Sequence, residues 1–191
     1  MDGGVIRAYR PEDQAAVGAV VTEAFAEEGA KVAALVDDLR ARDARAELVA
    51  EEDGEVVGHV LLSRSWVDAR RALVDVLVLS PLSVLPSHQG RGAGTALVAA
   101  AVARAREVGT PALFLEGSPA YYSRRGFEPA TPRGFTRPST RIPEPAFQVV
   151  VLDAYEEWMA GALVYCEPFW RHDCVGLRDP ALTRIEQMFE S

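Results

Sequence analysis

From Leu73 to Glu116 the chain reads "LVDVLVLSPLSVLPSHQGRGAGTALVAAAVARAREVGTPALFLE": an apolar run, a glycine cluster, a helical stripe and a second apolar run. The stripe is formed by Leu97, Val98, Ala101, Val102, Ala105 and Val108 at helical spacing and closes at Gly109. Strand, loop, helix and strand therefore form one crossover unit. Gly90, Gly92 and Gly94 fall at alternate positions where the first strand hands over to the helix. A glycine in regular structure costs roughly 0.5 to 1 kcal/mol relative to alanine, so packing alone does not explain three of them. The loop needs bare backbone.

The flanking sequence fits around this unit. "GVIRAYRPEDQAAV" predicts a short strand ending near Tyr9, then a helix with Pro11 in its first turn and Val17, Val20, Val21, Ala24 and Phe25 on one face. A second helix is expected near Lys31 to Ala41. "AELVAEEDGEVVGHVLLSRSWV" reads as two strands joined at Asp53-Gly54, a dipeptide that accepts the positive φ of a tight hairpin. With the run from Leu73 they make an antiparallel meander. "SPAYYSRRGF" predicts a short helix stopped by Gly126, "PATPRGFTRPSTRIPEP" a loop, and "AFQVVVL" a further strand. The tail holds a strand-like "GALVYCEPF" and an amphipathic segment from Pro180 to Phe189. There is no internal repeat.

The chain has 191 residues, 49% hydrophobic and 25% charged, enough for one sizeable core. Its formal net charge of -8, with no Lys/Arg stripe, argues against nucleic acid as a partner, because phosphates must be neutralised by cations. The apolar stretches are too short and interrupted to span a bilayer, and the N-terminus lacks signal-peptide features, so no membrane partner and a cytoplasmic location are expected. Cys166, His172 and Cys174 lack a fourth residue at a recognised ligand spacing, so no metal is expected. His59 and His88 are isolated.

A strand entering a glycine turn and then a helix N-terminus is a pyrophosphate cradle: the backbone approaches closely and the helix dipole favours negative charge. A P-loop is excluded, since Thr95 and Ala96 follow Gly94 where lysine is required. A dinucleotide site has Glu116 at a suitable distance for a ribose, but the spacing is G-x-G-x-G and the preceding sheet reads as antiparallel. Coenzyme A is the third ligand. Gln89-Gly90-Arg91-Gly92-Ala93-Gly94 resembles the Q/R-x-x-G-x-G/A signature of the GNAT N-acetyltransferase superfamily. "YYSRRGF", Tyr121 to Phe127, resembles its second hallmark, a tyrosine four residues before Gly-Phe. The order of elements agrees from about Val5 to Leu152. "SPLSVLP" and the proline-rich segment resemble a poorly characterised branch of predicted acetyltransferases within it.

The resemblance implies an α+β GNAT fold: a mixed, largely antiparallel central sheet flanked by helices, with a V-shaped opening between the central strands. It implies a domain over residues 1–152, with 153–191 a C-terminal extension packed on it. Acetyl-CoA is the implied cosubstrate, its pyrophosphate held by loop amides from Gln89, Gly90, Arg91, Gly92, Ala93, Gly94 and Thr95. The strand of Leu82 and Val84 would pair with the pantetheine arm, and backbone N–H groups there could meet the oxyanion. Pro81 independently suggests where that strand leaves its neighbour, because proline cannot donate to a ladder.

Tyr122 is the candidate acid for the leaving thiolate. The competing reading is a half-buried tyrosine whose hydroxyl rests on a nearby carbonyl, and Tyr121 could exchange roles with it if the helix is rotated. No general base is legible: Glu23, Glu27, Glu28, Asp75 and Glu116 all read as solvated charges. The implied activity is transfer of an acetyl group to a primary amine of a small molecule or peptide, and a homodimer is left open. A noncatalytic acyl-CoA-binding module is the alternative, and a nucleotide-dependent oxidoreductase a remote third.

Overall fold

The computed structural model describes residues 4–190. Its strands are β1 (Val5–Ala8), β2 (Ala44–Glu52), β3 (Glu55–Ala69), β4 (Leu73–Val84), β5 (Ala112–Glu116), β6 (Glu128–Pro129), β7 (Phe147–Val151) and β8 (Gly161–Tyr165). The helices are α1 (Gln14–Phe25), α2 (Gly29–Arg42), α3 (Ala93–Val108), α4 (Pro119–Tyr122), α5 (Glu167–Arg171) and α6 (Ala181–Glu190). Hydrogen-bonded neighbours follow the order β1-β2-β3-β4-β5-β7-β6, with β8 on β3. The pairs β1/β2, β2/β3, β3/β8, β5/β7 and β6/β7 are antiparallel, and β4/β5 is parallel. The sheet is thus mixed and largely antiparallel, as expected. Among the described residues no helix is long and apolar enough to cross a membrane.

The chain divides into two compact units: residues up to Ser63 with Leu79–Gly109, and Arg64–Val78 with the chain from Thr110 onward. In the first, the stripe Val17, Val20 and Val21 of α1 and Val32, Leu35, Val36 and Leu39 of α2 is buried, as the helical period requires. Gly29 lets the two helices meet, since a Cβ there would sit 2.2 Å from the Thr22 carbonyl oxygen. Helix α3 buries Leu97, Val98, Ala101 and Ala105, and Leu97 lies over Gly58 of β3, where a Cβ would come within 3.0 Å of its Cδ1. The hairpin turn between β2 and β3 uses positive φ at Asp53 (52°) and Gly54 (82°).

The second unit is centred on aromatic rings. Phe114 of β5 meets Phe135 edge-on at 4.9 Å and stacks with Phe147 at 5.8 Å, and Tyr165 packs on Phe169 at 4.8 Å. The tail belongs to this unit through β8, which runs antiparallel to β3 from Ser65↔Tyr165 to Ala69↔Gly161. The strand ends at Tyr165, and "EPFWR" turns into α5 instead of extending it, with Pro168 in the first helical turn. The proline-rich segment has a 3-10 turn at Thr131–Arg133 inside it, and the two-residue β6 and a second 3-10 turn at Glu144–Ala146 overlap its two ends. The parallel ladder pairs Leu77 with Leu113 and Val78 with Phe114 and goes no further. It therefore stops before Pro81 is reached.

Candidate active site

The site residues expected from the sequence fall in both units. In the first, β4 runs out at Val84, and the Leu85 N–H donates to the Val57 carbonyl at 2.9 Å. The Gln89 side-chain amide donates back to the Val84 carbonyl at 3.1 Å, closing the connection into a compact loop. Gly90 (φ 75°) and Gly92 (φ 104°) then take left-handed conformations that side chains resist, and nothing lies within 4 Å of a Cβ built at either. The left-handed backbone, not packing, selects glycine there, and it leaves the surface of the loop open.

Helix α3 begins with Gly92 as its N-cap and has no side-chain cap; its first backbone bond is Ala96 N–H to the Gly92 carbonyl at 3.0 Å. An α-helix begins with N–H groups that have no partner within the helix, and the positive end of its dipole favours an anion. Arg91 is exposed beside them. A cavity of about 220 Å³ borders the same turn, lined by Arg91, Gly92, Ala93 and Ala96 with Gly4, Ile6, Ala50 and Glu52. Thr95 is exposed, and Leu82 and Val84 are half-buried on β4. Open backbone, positive-φ glycines and an uncapped helix start suit a pyrophosphate.

In the second unit, Ser118 leads into α4, whose first residue is Pro119, and the helix ends in the turn stopped by Gly126 (φ 87°). Tyr122 is half-buried, and its hydroxyl hydrogen-bonds no described residue, so the reading that rests it on a carbonyl is not the arrangement found. Burial, with the nearby Tyr121, pushes its hydroxyl up to about 12, so it keeps its proton at neutral pH. Tyr121 is occupied differently. Its ring lies 3.5 Å beneath the Arg125 guanidinium, which also donates to the Tyr121 carbonyl.

Glu116 is not the solvated charge expected. It ends β5, accepts a hydrogen bond from the Tyr165 hydroxyl at 2.8 Å and another from the Gly176 N–H at 3.2 Å. Burial raises its carboxyl to about 7 despite these two bonds and the Arg141 charge, which pull the other way. Gly176 (φ 66°) passes so close to Arg141 that a Cβ would sit 2.6 Å from its carbonyl carbon. Among the other acids, Asp75 is an exposed partner of Arg64 at 2.7 Å, and Glu28 pairs with Lys31, so both remain solvated. Among the described residues no group of three His, Cys, Asp or Glu could hold a metal ion.

His59 is likewise not isolated. Its Nε2 lies 2.8 Å from Glu47, whose carboxylate also takes the Arg40 guanidinium at 2.7 Å, and the Arg40 guanidinium stacks on the Tyr9 ring at 4.5 Å. Burial, outweighing Glu47, lowers its pKa, so the ring is neutral.

Residues 12–127 match the Acetyltransferase (GNAT) family, and the chain belongs to it. The uncharacterized N-acetyltransferase YjhQ of Escherichia coli is 36% identical over 121 residues, which make up 63% of this chain and 66% of that one. A mycothiol acetyltransferase of Sanguibacter keddieii is 39% identical over 142 residues, covering 68% of this chain and 45% of that one. The chain therefore spans about two thirds of the first relative's length and under half of the second's. Among solved structures, Escherichia coli YhbS in complex with CoA superposes with a TM-score of 0.78 at 31% identity, covering 88% of this chain and 93% of that one. A Brucella melitensis GNAT family acetyltransferase in complex with acetyl-CoA gives 0.71 at 31% identity, covering 88% and 99%.

Proposed function

We propose that this chain transfers the acetyl group of acetyl-CoA to a primary amine of a small molecule or peptide by direct attack. The observation that carries the reading is the start of α3, where two left-handed glycines with open space above them precede an uncapped helix. Loop amides from Gln89 to Thr95 would hold the pyrophosphate, and Leu82 and Val84 the pantetheine arm. The two solved relatives in complex with CoA and acetyl-CoA support this ligand.

The cosubstrate supplies a thioester whose C–S bond breaks as the amine's N–C bond forms. The protein must then take one proton from the attacking amine and give one to the departing thiolate. Tyr122 suits the second task, because its hydroxyl is protonated at neutral pH and is not engaged by the protein. Glu116, directly before the Gly117 backbone on which the Tyr122 ring rests, suits the first: a carboxyl near 7 is divided between both forms at working pH, where general bases are most effective. Two groups whose environments set them far apart in acidity fit complementary acid and base roles.

The test is release of free thiol from acetyl-CoA in the presence of polyamines, aminoglycosides, amino acids and peptides with free N-termini. Turnover with at least one class is expected. Acetyl-CoA binding without turnover on any of them would move the reading to a noncatalytic acyl-CoA-binding module.

A further inference from the structure

Gly117 directly follows Glu116, and its φ is not one that reserves a position for glycine. What excludes a side chain is Tyr122: a Cβ on Gly117 would lie 2.3 Å from the tyrosine Cε2 and 2.8 Å from Cδ2. The ring rests directly on bare backbone. That backbone is itself fixed at both ends. The Gly117 N–H donates to the Ala146 carbonyl at 3.0 Å, and its carbonyl accepts from the Gln148 side-chain amide at 3.0 Å.

Gln148 is only 1% exposed, on β7 between the buried Phe147 and Val149. An amide in such a place is costly unless hydrogen-bonded, and the bond it makes is to Gly117. Two more rings close on Tyr122: Phe127 at 5.8 Å and Tyr121 at 4.8 Å, both roughly edge-on. The Phe127 N–H donates to the Tyr122 carbonyl at 3.2 Å. The surroundings thus fix the ring and leave the hydroxyl uncommitted, which serves a group whose placement matters more than its own hydrogen bond.

We propose that Gly117 and Gln148 are positioning residues that hold the Tyr122 ring, and that the rate of acyl transfer depends on them through that ring. The proposal rests on the reading of Tyr122 as the proton donor. Gly117→Ala would lift the ring from the backbone. Gln148→Met would free the Gly117 carbonyl while keeping the side-chain volume, and serves if the first variant fails to fold.

The experiment combines crystal structures of both variants with steady-state rates for acetyl-CoA and each of three acceptors: spermidine, kanamycin and trialanine. Each variant is measured alone and with Tyr122→Phe added. The expected result is a displaced ring and a kcat lower by about tenfold or more, because small misplacements of a reacting group are expensive. The KM for acetyl-CoA should stay within about twofold, and in the Tyr122→Phe background either substitution should cost little further, as expected for groups acting as a unit.

An unmoved ring, an unchanged kcat, or an equal fold-loss in the Tyr122→Phe background overturns the positioning role. A wild-type rate in Tyr122→Phe alone overturns the proton-donor reading instead. If no acceptor turns over, the enzymatic reading falls, and the ring position in the crystals decides alone whether Gly117 and Gln148 hold it.

Discussion

At the scale of single residues, two side chains separate catalysis from mere binding. Tyr122→Phe retains the ring that packs against Gly117, Phe127 and Tyr121, so folding and acetyl-CoA affinity should survive. Turnover should fall by roughly a hundredfold or more, as follows from loss of a positioned general acid, and steady-state kinetics beside an acetyl-CoA binding isotherm checks both halves. Tyr121→Phe should do much less, since that ring is held by Arg125 rather than left uncommitted. Glu116 predicts a pH profile. A base must be ionised to act, so kcat/KM should rise with pH through about 7 and level off above it. Glu116→Gln can still accept the Tyr165 hydrogen bond, so it should fold, lose most activity and lose that acidic limb. An unchanged limb would remove Glu116 from the mechanism.

At the scale of elements, α3 offers an internal control. Gly92 at its start and Gly109 at its end both hold positive φ, 104° and 79°, and neither has a neighbour where a Cβ would be. Substituting either strains the backbone in the same way, but only Gly92 stands at the proposed pyrophosphate. Gly92→Val should therefore abolish most of the acetyl-CoA-induced rise in melting temperature. Gly109→Ala should lower the baseline melting temperature while keeping the rise, and thermal shift with and without acetyl-CoA distinguishes them.

Elements with a strong period were legible in the sequence for the same reason: the α1, α2 and α3 stripes and the Asp53-Gly54 hairpin each satisfy one local rule. The glycine loop and Tyr122 were legible as a motif. The two-residue β6 and the five-residue α5 were not, because such short elements carry no period, and tertiary pairing with β7 defines the first. Glu116 escaped because a lone acid at a strand end looks solvated. Its acidity is set by burial against chain far away in sequence, including Tyr165 and Gly176, 49 and 60 residues on, whose hydrogen bonds only partly offset the rise. The one local sign was Gly117 directly after it, a glycine at a strand end that marks close approach.

At the scale of the whole molecule, two buried groups oppose each other in the pH dependence of stability. His59 is held below its ordinary value of 6.5 by burial, so the unfolded chain binds a proton below 6.5 that the folded chain refuses. Stability from this group is present above 6.5 and declines on acidification. Glu116 is raised from its ordinary 4.5 to about 7, so between those values the folded chain binds the proton that the unfolded chain releases. Its contribution is present below 4.5 and is lost as pH rises through 7. The two slopes have opposite sign and overlap in the window just below 6.5, so the wild-type stability there should be nearly flat. Glu116→Gln leaves the histidine alone. Its unfolding free energy should then rise with pH across the same window, with a slope approaching about 1.4 kcal/mol per pH unit. Glu47 adds to this slope only at lower pH, since its carboxyl, bonded to His59 and Arg40, lies below its ordinary 4.5. Urea unfolding at closely spaced pH values for the wild type and the variant measures both slopes. A wild type that loses stability on acidification as steeply as Glu116→Gln would show that the Glu116 carboxyl is not held protonated in the folded chain, and would remove the basis for its place as the base.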